Sequence, residues 1–310
     1  MSVAIQTTQH ILMVRPAHFG FNDQTAASNA FQQNDETLNT DQISERALAE
    51  FDDMVELLRQ ANIHVTVAQD SDLPVKPDAI FPNNWISTHA DGTMILYPMF
   101  APIRRLERQP HIIEQLRHDF HVNRAFHLEY HEGIDIFLEG TGSLILDRTN
   151  GLAYACVSPR THISLLQEFC HIAGYRPVAF RATDNNGQEI YHTNVMMTIA
   201  ETFAVICLDT ITDTDERTGV VAELKNTNKD IIEITLQQMM SFAGNMLQVR
   251  NATGQTYLVM SQTAHDSLTP DQISRILKHT KIIAAPIQTI ETYGGGSARC
   301  MIAEVFLAPK

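Results

Sequence analysis

Apolar and polar residues alternate along the chain at two periods, one typical of helices and one typical of strands. Apolar residues recur at helical spacing in five segments, and in the first of them Phe51, Met54, Val55 and Leu58 share one face. We therefore predict helices over Asp41–Ala61, Pro110–Phe120, Thr161–Ala173, Lys229–Ala243 and Thr269–Thr280.

Short apolar runs lie between these helices, and turn signals divide many of them into pairs. The runs IHVTVA, RPVAF, MLQVR and IIAAPI each follow a predicted helix. Asp91-Gly92 and Asn150-Gly151 each separate two further runs, and both dipeptides favour the tight turn of a β-hairpin. The runs are therefore predicted to be strands, several of them in hairpins.

The order of helix, strand and hairpin recurs about five times, which gives about 62 residues per unit in a chain of 310. A closed ring of five ββαβ units leaves no end face exposed, and helices between strands favour an α/β fold over an all-β propeller. We therefore predict one α/β-propeller domain with five-fold pseudosymmetry over residues 1–310. The polar segment Gln24–Thr40 is predicted to be a mobile loop and a candidate lid.

Composition narrows the class of protein. Lys and Arg number 22 against 36 Asp and Glu, a formal charge of −14 without a basic cluster, so nucleic acid and anionic membranes are not expected partners. The start of the chain lacks the features of a signal peptide, and no apolar run is long enough to span a bilayer. With four widely spaced cysteines, we expect a cytoplasmic protein with reduced thiols.

Polar or reactive residues recur every 51 to 55 positions, at the openings of the strands predicted to line the ring. Equivalent positions in a ring converge on its axis, so we expect these side chains to meet. This places Cys300 at the opening of the last unit. The residues are Asn84, Glu139, Asn194, Asn245 and Cys300, with His192 two residues before Asn194.

The set contains the parts of a nucleophilic site. A thiolate is a strong nucleophile, His can transfer protons near neutral pH, and a carboxylate can orient the imidazole. Gly294–Gly296 precede Cys300 and let the backbone approach a ligand closely. Each residue also has a plain structural interpretation: Cys300 as a small buried residue, His192 as a hydrogen-bonding residue and Glu139 as a turn residue.

A competing cluster lies in the stretch HLEYHEGID. His127, Glu129 and His131 would share one face of a strand and could hold a metal ion. The stretch is not HExxH, and no distant pair of ligands matches it. No phosphate-binding or dinucleotide-binding glycine motif is present either, because GTGS after IFLE is predicted to open a strand. We therefore expect neither a metal nor a cofactor.

Several ordered motifs resemble those of a known superfamily. GGGSARCM is similar to the cysteine motif of arginine deiminases and dimethylarginine dimethylaminohydrolases, the guanidino-group-modifying enzymes of the amidinotransferase superfamily. LEGTGS resembles their strand with the triad carboxylate, HTN their His-x-Asp motif, and SPRT their serine-x-arginine-threonine motif. The opening MVRPAHFGFN, together with FPNNWIS, is most similar to the branch of citrulline-utilisation hydrolases.

This resemblance, which covers essentially the whole chain, implies a fold and a set of roles. The fold is the five-fold α/β propeller called the pentein. Cys300 would be the nucleophile, His192 the general acid and base, and Glu139 the carboxylate that orients it. Arg160 and Arg299 would bind the α-carboxylate of a small amino-acid substrate, since a guanidinium binds a carboxylate through two parallel hydrogen bonds. A homo-oligomer is left open.

One departure from the superfamily bears on the substrate. Arginine deiminases carry aspartates where this chain has Asn84 and Asn194, and those carboxylates pair with the substrate's guanidinium. A neutral amide can instead donate to a carbonyl oxygen and accept from an N–H. With Asn84, Asn194 and Asn245 as substrate-binding residues, we expect hydrolysis of citrulline to ornithine, ammonia and carbon dioxide. The alternatives are hydrolysis of arginine or dimethylarginine, amidino transfer, and a non-catalytic amino-acid-binding module.

Overall fold

The computed structural model describes residues 5–26, 29–34 and 37–310. Residues 27, 28, 35 and 36 of the predicted mobile segment Gln24–Thr40 therefore lie outside the described residues, as do residues 1–4. The strands are β1 His10–Arg15, β2 His64–Gln69, β3 Ile86–Thr88, β4 Thr93–Leu96, β5 Arg124–His127, β6 Ile145–Asp147, β7 Leu152–Cys156, β8 Arg176–Phe180, β9 Met197–Ile199, β10 Phe203–Ile206, β11 Asp230–Glu233, β12 Leu247–Arg250, β13 Thr256–Ser261, β14 Lys281–Ala285 and β15 Ala303–Val305. The helices are α1 Asp23–Ala26, α2 Thr40–Gln60, α3 Pro110–Asp119, α4 Gly140–Ser143, α5 Ile163–Ala173, α6 Thr214–Asn226, α7 Leu236–Met240, α8 Gln262–Ser267, α9 Pro270–Leu277 and α10 Gln288–Gly294.

The same three-stranded sheet recurs around the molecule. In β3–β4–β5, the first two strands form an antiparallel hairpin and the third runs parallel to the second. The sheets β6–β7–β8, β9–β10–β11 and β12–β13–β14 repeat this pairing. Helices cross from the second to the third strand, as a parallel connection requires.

The sheets pack as a ring. Their first strands lie inside, with β15 beside β3 and with β9 beside both β6 and β12. The fifth unit meets the first, where Asn251 Nδ2 donates to the carbonyl of Ala61 at 2.9 Å. This arrangement confirms the predicted five-fold pseudosymmetric α/β propeller.

The ring is closed by the two ends of the described chain. Strand β15 pairs antiparallel with β1, and β1 pairs in parallel with β2, so the sheet is built from the first and last strands. The prediction that Cys300 opens the last unit is therefore wrong in one respect. The strand that follows Cys300 completes the first sheet.

Four of the five predicted helices are confirmed, and the fourth in chain order is wrong. The segment Lys229–Ala243 contains β11 and the short helix α7, because Asp230–Glu233 pairs in parallel with β10. The helix of this unit is α6, in which Val220 and Leu224 are the buried positions. Its apolar face is too narrow to stand out by periodicity.

Helix α2 shows how a long amphipathic segment covers a sheet. It begins after Asn39, whose side chain accepts from the backbone N–H of Gln42 in a capping box. Its buried face includes Phe51, Met54 and Leu58, which pack in one cluster with residues of β1 and α10. Within the described ranges, no helix is long and apolar enough to cross a membrane.

Candidate active site

Cys300 lies in the turn that precedes β15 and is 7% exposed. Its Sγ is 3.3 Å from Nδ2 of Asn194 and 3.2 Å from Nδ2 of Asn245. The backbone N–H of Arg299 donates to Oδ1 of Asn245 at 3.1 Å, which turns the amide N–H₂ of Asn245 toward the sulfur. Two N–H donors on one sulfur can stabilise the negative charge of a thiolate.

His192 and Glu139 form a buried pair close to Cys300. Nε2 of His192 lies 2.6 Å from Oε2 of Glu139, whose other oxygen accepts from the backbone N–H of Phe100 at 2.8 Å. Burial lowers the pKa of His192 to about 4, although the hydrogen bond that His192 donates to Glu139 opposes this shift. The resting imidazole is therefore neutral. Because a carboxylate only accepts, the proton sits on Nε2, and Nδ1 keeps a free electron pair for use as a base.

Glu139 stays ionised despite being fully buried. Burial alone would raise its pKa, but the Arg160 charge and the His192 hydrogen bond hold the pKa of Glu139 well below its ordinary range. Nη1 of Arg160 lies 3.5 Å from Oε2 of Glu139. A permanent carboxylate at this point holds the imidazole in one orientation and can stabilise an imidazolium when it forms.

A single small cavity joins these groups. Its lining includes Cys300, His192, Asn84 and Arg160, together with Thr25, Asn29, Asp78, Phe81, Arg104, Tyr191, Gly294, Gly295 and Gly296. The open space is only about 20 Å³, which is room for about one water molecule. An amino-acid substrate can therefore enter only when the surrounding segments move apart.

Two of the cavity residues, Asp78 and Arg104, were missed by the sequence analysis. Nη1 of Arg104 donates to Oδ1 of Asn84 at 3.0 Å, and Arg104 also forms a two-pronged ion pair with Glu107 at 2.8 and 3.0 Å. Nε of Arg104 lies 3.7 Å from Oδ2 of Asp78. The available signal for Asp78 was an acidic residue directly before the apolar run AIFP.

Arg299 occupies a different place from the one predicted. Its guanidinium donates to the carbonyl of Ile302 at 2.9 Å and to Glu304 at 3.4 Å, and it lines a separate space in the middle of the ring. Asn194 and Asn245 both contact the sulfur, although neither of them lines the cavity around Cys300. The structure therefore brings Asn84, Glu139, Arg160, His192, Asn194, Asn245 and Cys300 together, and it points the Arg299 side chain elsewhere.

Two glycines are required by the shape of the site. Gly295 has φ +62°, in the left-handed region that favours glycine, and its carbonyl accepts from Tyr191 Oη at 3.2 Å. A Cβ at Gly142 would overlap with Nδ2 of Asn84 and lie 2.9 Å from Nδ1 of His192. The segment GTGS forms α4 rather than a strand, and this short helix fits against the side chains of Asn84 and His192.

His127, Glu129 and His131 do not come together as a metal site. Nδ1 of His127 pairs with Glu129 at 2.7 Å, and Nε2 of His131 pairs with Glu168 at 2.9 Å. Among the residues that the structure describes, no group of three or more His, Cys, Asp and Glu side chains could hold a metal ion.

The propeller and its buried Cys, His and Glu side chains define a protein of the dimethylarginine dimethylaminohydrolase and arginine deiminase superfamily, the penteins. The model of one family, described as N,N dimethylarginine dimethylhydrolase, eukaryotic, matches residues 15–307. The chain therefore belongs to this dimethylarginine dimethylhydrolase family. Comparison with curated proteins gives no match.

Solved structures share the fold at low sequence identity. Full-length ArgZ, an arginine dihydrolase from the ornithine–ammonia cycle in cyanobacteria, aligns with a TM-score of 0.75 at 15% identity over 97% of this chain. The present chain spans 41% of the length of that protein. The N-terminal domain of ArgZ, covalently bound to a reaction intermediate, aligns at 0.74 and 16% over 96% of this chain and 99% of its own.

A dimethylarginine dimethylaminohydrolase is also similar. Its adduct with S-methyl-L-thiocitrulline aligns with a TM-score of 0.65 at 14% identity over 96% of this chain and 99% of its own. At these identities the likeness shows the fold.

Proposed function

We propose that this chain, acting as a single catalytic domain, is a cysteine hydrolase that cleaves a C–N bond at the central carbon of the guanidino or ureido group of an arginine-like amino acid. The observation that supports this most directly is the cysteine itself. Sγ of Cys300 faces two amide donors, beside a small cavity whose wall also contains the neutral His192, and His192 is hydrogen-bonded to the buried, ionised Glu139. Membership of the dimethylarginine dimethylhydrolase family supports the same class of reaction.

The residues can carry a two-step reaction without an added cofactor. Nδ1 of His192 takes the proton of the Cys300 thiol, and the thiolate attacks the central carbon of the substrate. The imidazolium, stabilised by Glu139, then gives the proton to the departing nitrogen as the C–N bond breaks. This leaves a covalent adduct on sulfur.

Water completes the cycle. His192, neutral again, takes a proton from a water molecule, whose oxygen attacks the adduct and breaks the C–S bond. The proton on His192 then returns to the Cys300 thiolate. With citrulline, the product of this step is a carbamic acid, which loses carbon dioxide and so breaks the second C–N bond. The order in which the two C–N bonds break is left open, and the end products are ornithine, ammonia and carbon dioxide. Arg160, which lines the cavity 4.7 Å above the Tyr191 ring, is the residue that we propose to bind the substrate carboxylate.

The orientation of Asn84 supports citrulline as the substrate. The side chain of Arg104 can only donate hydrogen bonds, so the Asn84 atom that it contacts has to be the acceptor oxygen, Oδ1. The N–H₂ of Asn84 then faces Gly142 and His192, and it has no hydrogen-bond partner among the described residues. A ureido oxygen would accept from this amide, whereas a guanidinium offers it only further N–H groups.

Asp78 supports arginine as a second candidate. It is a buried carboxylate in the wall of the cavity, and its Oδ1 has no hydrogen-bond partner among the described residues. A guanidinium could pair with it, and so could the α-ammonium of citrulline. Because Oδ2 already accepts from Asn22 at 2.7 Å and lies close to Arg104, we assign Asp78 to the ammonium.

The test is a product assay with citrulline, arginine and dimethylarginine, read by mass spectrometry. We expect ornithine and ammonia from citrulline, and little turnover of the other two. Turnover of arginine without citrulline would overturn the substrate assignment. Release of product only when an amine acceptor is added would point to amidino transfer.

The nucleophile is tested with Cys300→Ala, for which we expect a loss of at least about 10³-fold in kcat. Cys170→Ala is the control, because Cys170 is a buried core cysteine of α5 distant from the cavity lining. Full activity of Cys300→Ala would refute the mechanism. Binding of citrulline to the unaltered protein without turnover at any pH would favour a non-catalytic amino-acid-binding module.

A further inference from the structure

A second and larger cavity lies at the opposite end of the ring. Its volume is about 260 Å³, and its lining includes His89, Arg148 and Phe306. These residues come directly after the inner strands β3, β6 and β15. Because Asn84, Glu139 and Cys300 come before the same strands, the two cavities are separated by the length of the inner strands.

Arg148 gives this cavity a fixed positive charge. The residue is only 7% exposed, and its guanidinium lies 3.9 Å above the ring of Phe306. It donates to the carbonyl of Thr88 and to Oε2 of Glu304, both at 3.5 Å, and it also hydrogen-bonds to the side chain of Tyr175. A guanidinium stays charged at any pH of interest, so this buried charge can be balanced only by a negative group.

The described residues do not supply enough negative charge to neutralise Arg148. Glu304 is shared, because Arg299 also pairs with its Oε2, at 3.4 Å. Asp91 lines the cavity too, but its carboxylate is paired with Arg124. Two guanidinium groups therefore share one carboxylate, and a surplus positive charge faces the cavity.

His89 does not change the net charge that faces the cavity. It is buried beside Arg148, and its Nε2 lies 3.1 Å from Oγ of Ser87. Burial, followed by the Arg148 charge, lowers the pKa of His89 to about 3, so the ring is neutral near pH 7. A neutral imidazole in the wall can still donate or accept one hydrogen bond.

The rest of the lining suits a small, flat, apolar body. Phe306 and Tyr175 supply aromatic surface, while Gly151 and Gly174 contribute lining without a side chain. A space of about 260 Å³ lies below the range of about 300–1,000 Å³ that is typical of sites for drug-sized ligands, so a small ligand suits it. A carboxylate on an aromatic or short aliphatic body matches the charge, the surface and the size.

We propose that this cavity, defined by Arg148, Phe306, Tyr175 and His89, is a binding site for a small organic carboxylate, separate from the site around Cys300. The carboxylate of the ligand pairs with Arg148, so that Glu304 has to neutralise only Arg299. The apolar body of the ligand packs on Phe306 and Tyr175.

Calorimetric titration of the full chain with 3-phenylpropionate tests this proposal, with neutral 3-phenylpropanamide as the matched probe. We expect the carboxylate to bind at least tenfold more tightly than the amide. Arg148→Gln should abolish that difference, and Phe306→Leu should weaken both probes while the difference persists. Arg176→Gln, which removes an exposed arginine paired with Glu223, is the control and should change nothing.

The titration is repeated on Cys300→Ala with and without saturating citrulline, which separates the two sites. Unchanged binding in both conditions supports the second site, whether or not citrulline is a substrate. Displacement by citrulline, equal binding of the two probes, or unchanged binding to Arg148→Gln would each overturn the proposal. If Arg148→Gln does not fold, the proposed second site is still tested by comparing the two probes on the unaltered protein and on Phe306→Leu.

Discussion

At the residue scale, three neutral amides lie beside the charged and ionisable groups of the site. Asn194 and Asn245 donate to Sγ of Cys300, and Arg104 fixes the amide of Asn84. An amide can be turned by its neighbours to offer either a donor or an acceptor. The substrate preference that we propose therefore depends on partners such as Arg104, as well as on the asparagines themselves.

Replacing Asn84 by aspartate tests that dependence. In Asn84→Asp, the group that faces the substrate can only accept, so it repels a ureido oxygen and favours a guanidinium. We expect the ratio of kcat/KM for citrulline to that for arginine to fall by about tenfold or more, as leaving one buried polar contact unpaired costs about 1–3 kcal/mol. Asn186→Asp, an exposed loop change, is the control. An unchanged ratio would contradict the role of Asn84.

Part of the site could be predicted from the sequence, because each strand opening carries one polar residue at a nearly constant interval. The spacing identified Asn84, Glu139, Asn194 and Cys300, which the structure places together. It could not identify Asp78 and Arg104, since they lie on connecting segments outside the repeat. Spacing also cannot show where a long side chain points, and Arg299 turns toward Glu304 although its neighbour is Cys300.

At the element scale, short turns position the reactive groups more than long helices do. Asn84 ends the 3₁₀ turn Pro82–Asn84, Asn194 lies in the turn Thr193–Val195, and Glu139 directly precedes α4. Turns of this kind leave little signal in hydrophobic periodicity. The sequence therefore predicts the outer helices and strands well, but it predicts a strand where α4 lies.

The close fit of α4 between Asn84 and His192 leads to a second prediction. In Gly142→Ala, the added methyl group has to displace both side chains. We expect kcat/KM to fall by about 10²-fold, the typical effect of displacing a reacting group by 1 Å. Stability should fall by about 1–3 kcal/mol, measured by urea unfolding.

A second glycine serves as the control for Gly142→Ala. Gly219 lies in α6, and a Cβ there would have nothing within 4 Å. We expect Gly219→Ala to keep full activity and to be as stable as the parent or more so, because alanine favours a helix over glycine. Full activity of Gly142→Ala would show that the turn has more room than the structure indicates.

At the scale of the whole molecule, two buried histidines link stability to pH. His192 and His89 have pKa values of about 4 and about 3, set first by burial, against 6.5 in the unfolded chain. Below pH 6.5 the unfolded chain therefore binds protons that the folded chain does not. Each histidine then costs about 1.4 kcal/mol of unfolding free energy per pH unit as the pH falls toward its folded pKa.

We expect the melting temperature to be steady near neutral pH and to fall as the pH drops from about 6.5 toward 4. His89→Gln should make this fall less steep in calorimetric scans, because glutamine does not titrate. His118→Gln, in which an exposed histidine is replaced, should follow the parent curve. If His89→Gln shows the full slope, His89 is not held neutral in the folded protein.

The pairing of β15 with β1 has a consequence for how the enzyme could be switched off. This pairing joins the chain ends through three residue pairs, from His10–Val305 to Leu12–Ala303, and Cys300 lies just before it. Opening this pairing frees the segment that contains Cys300, the proposed nucleophile, while the other four sheets keep their own strands. In increasing urea, we expect activity to vanish before the helical circular dichroism does, and bound substrate to narrow the gap between the two curves. Coincident curves would show a single cooperative unit, whereas separate curves would show an inactive state that is still almost fully folded.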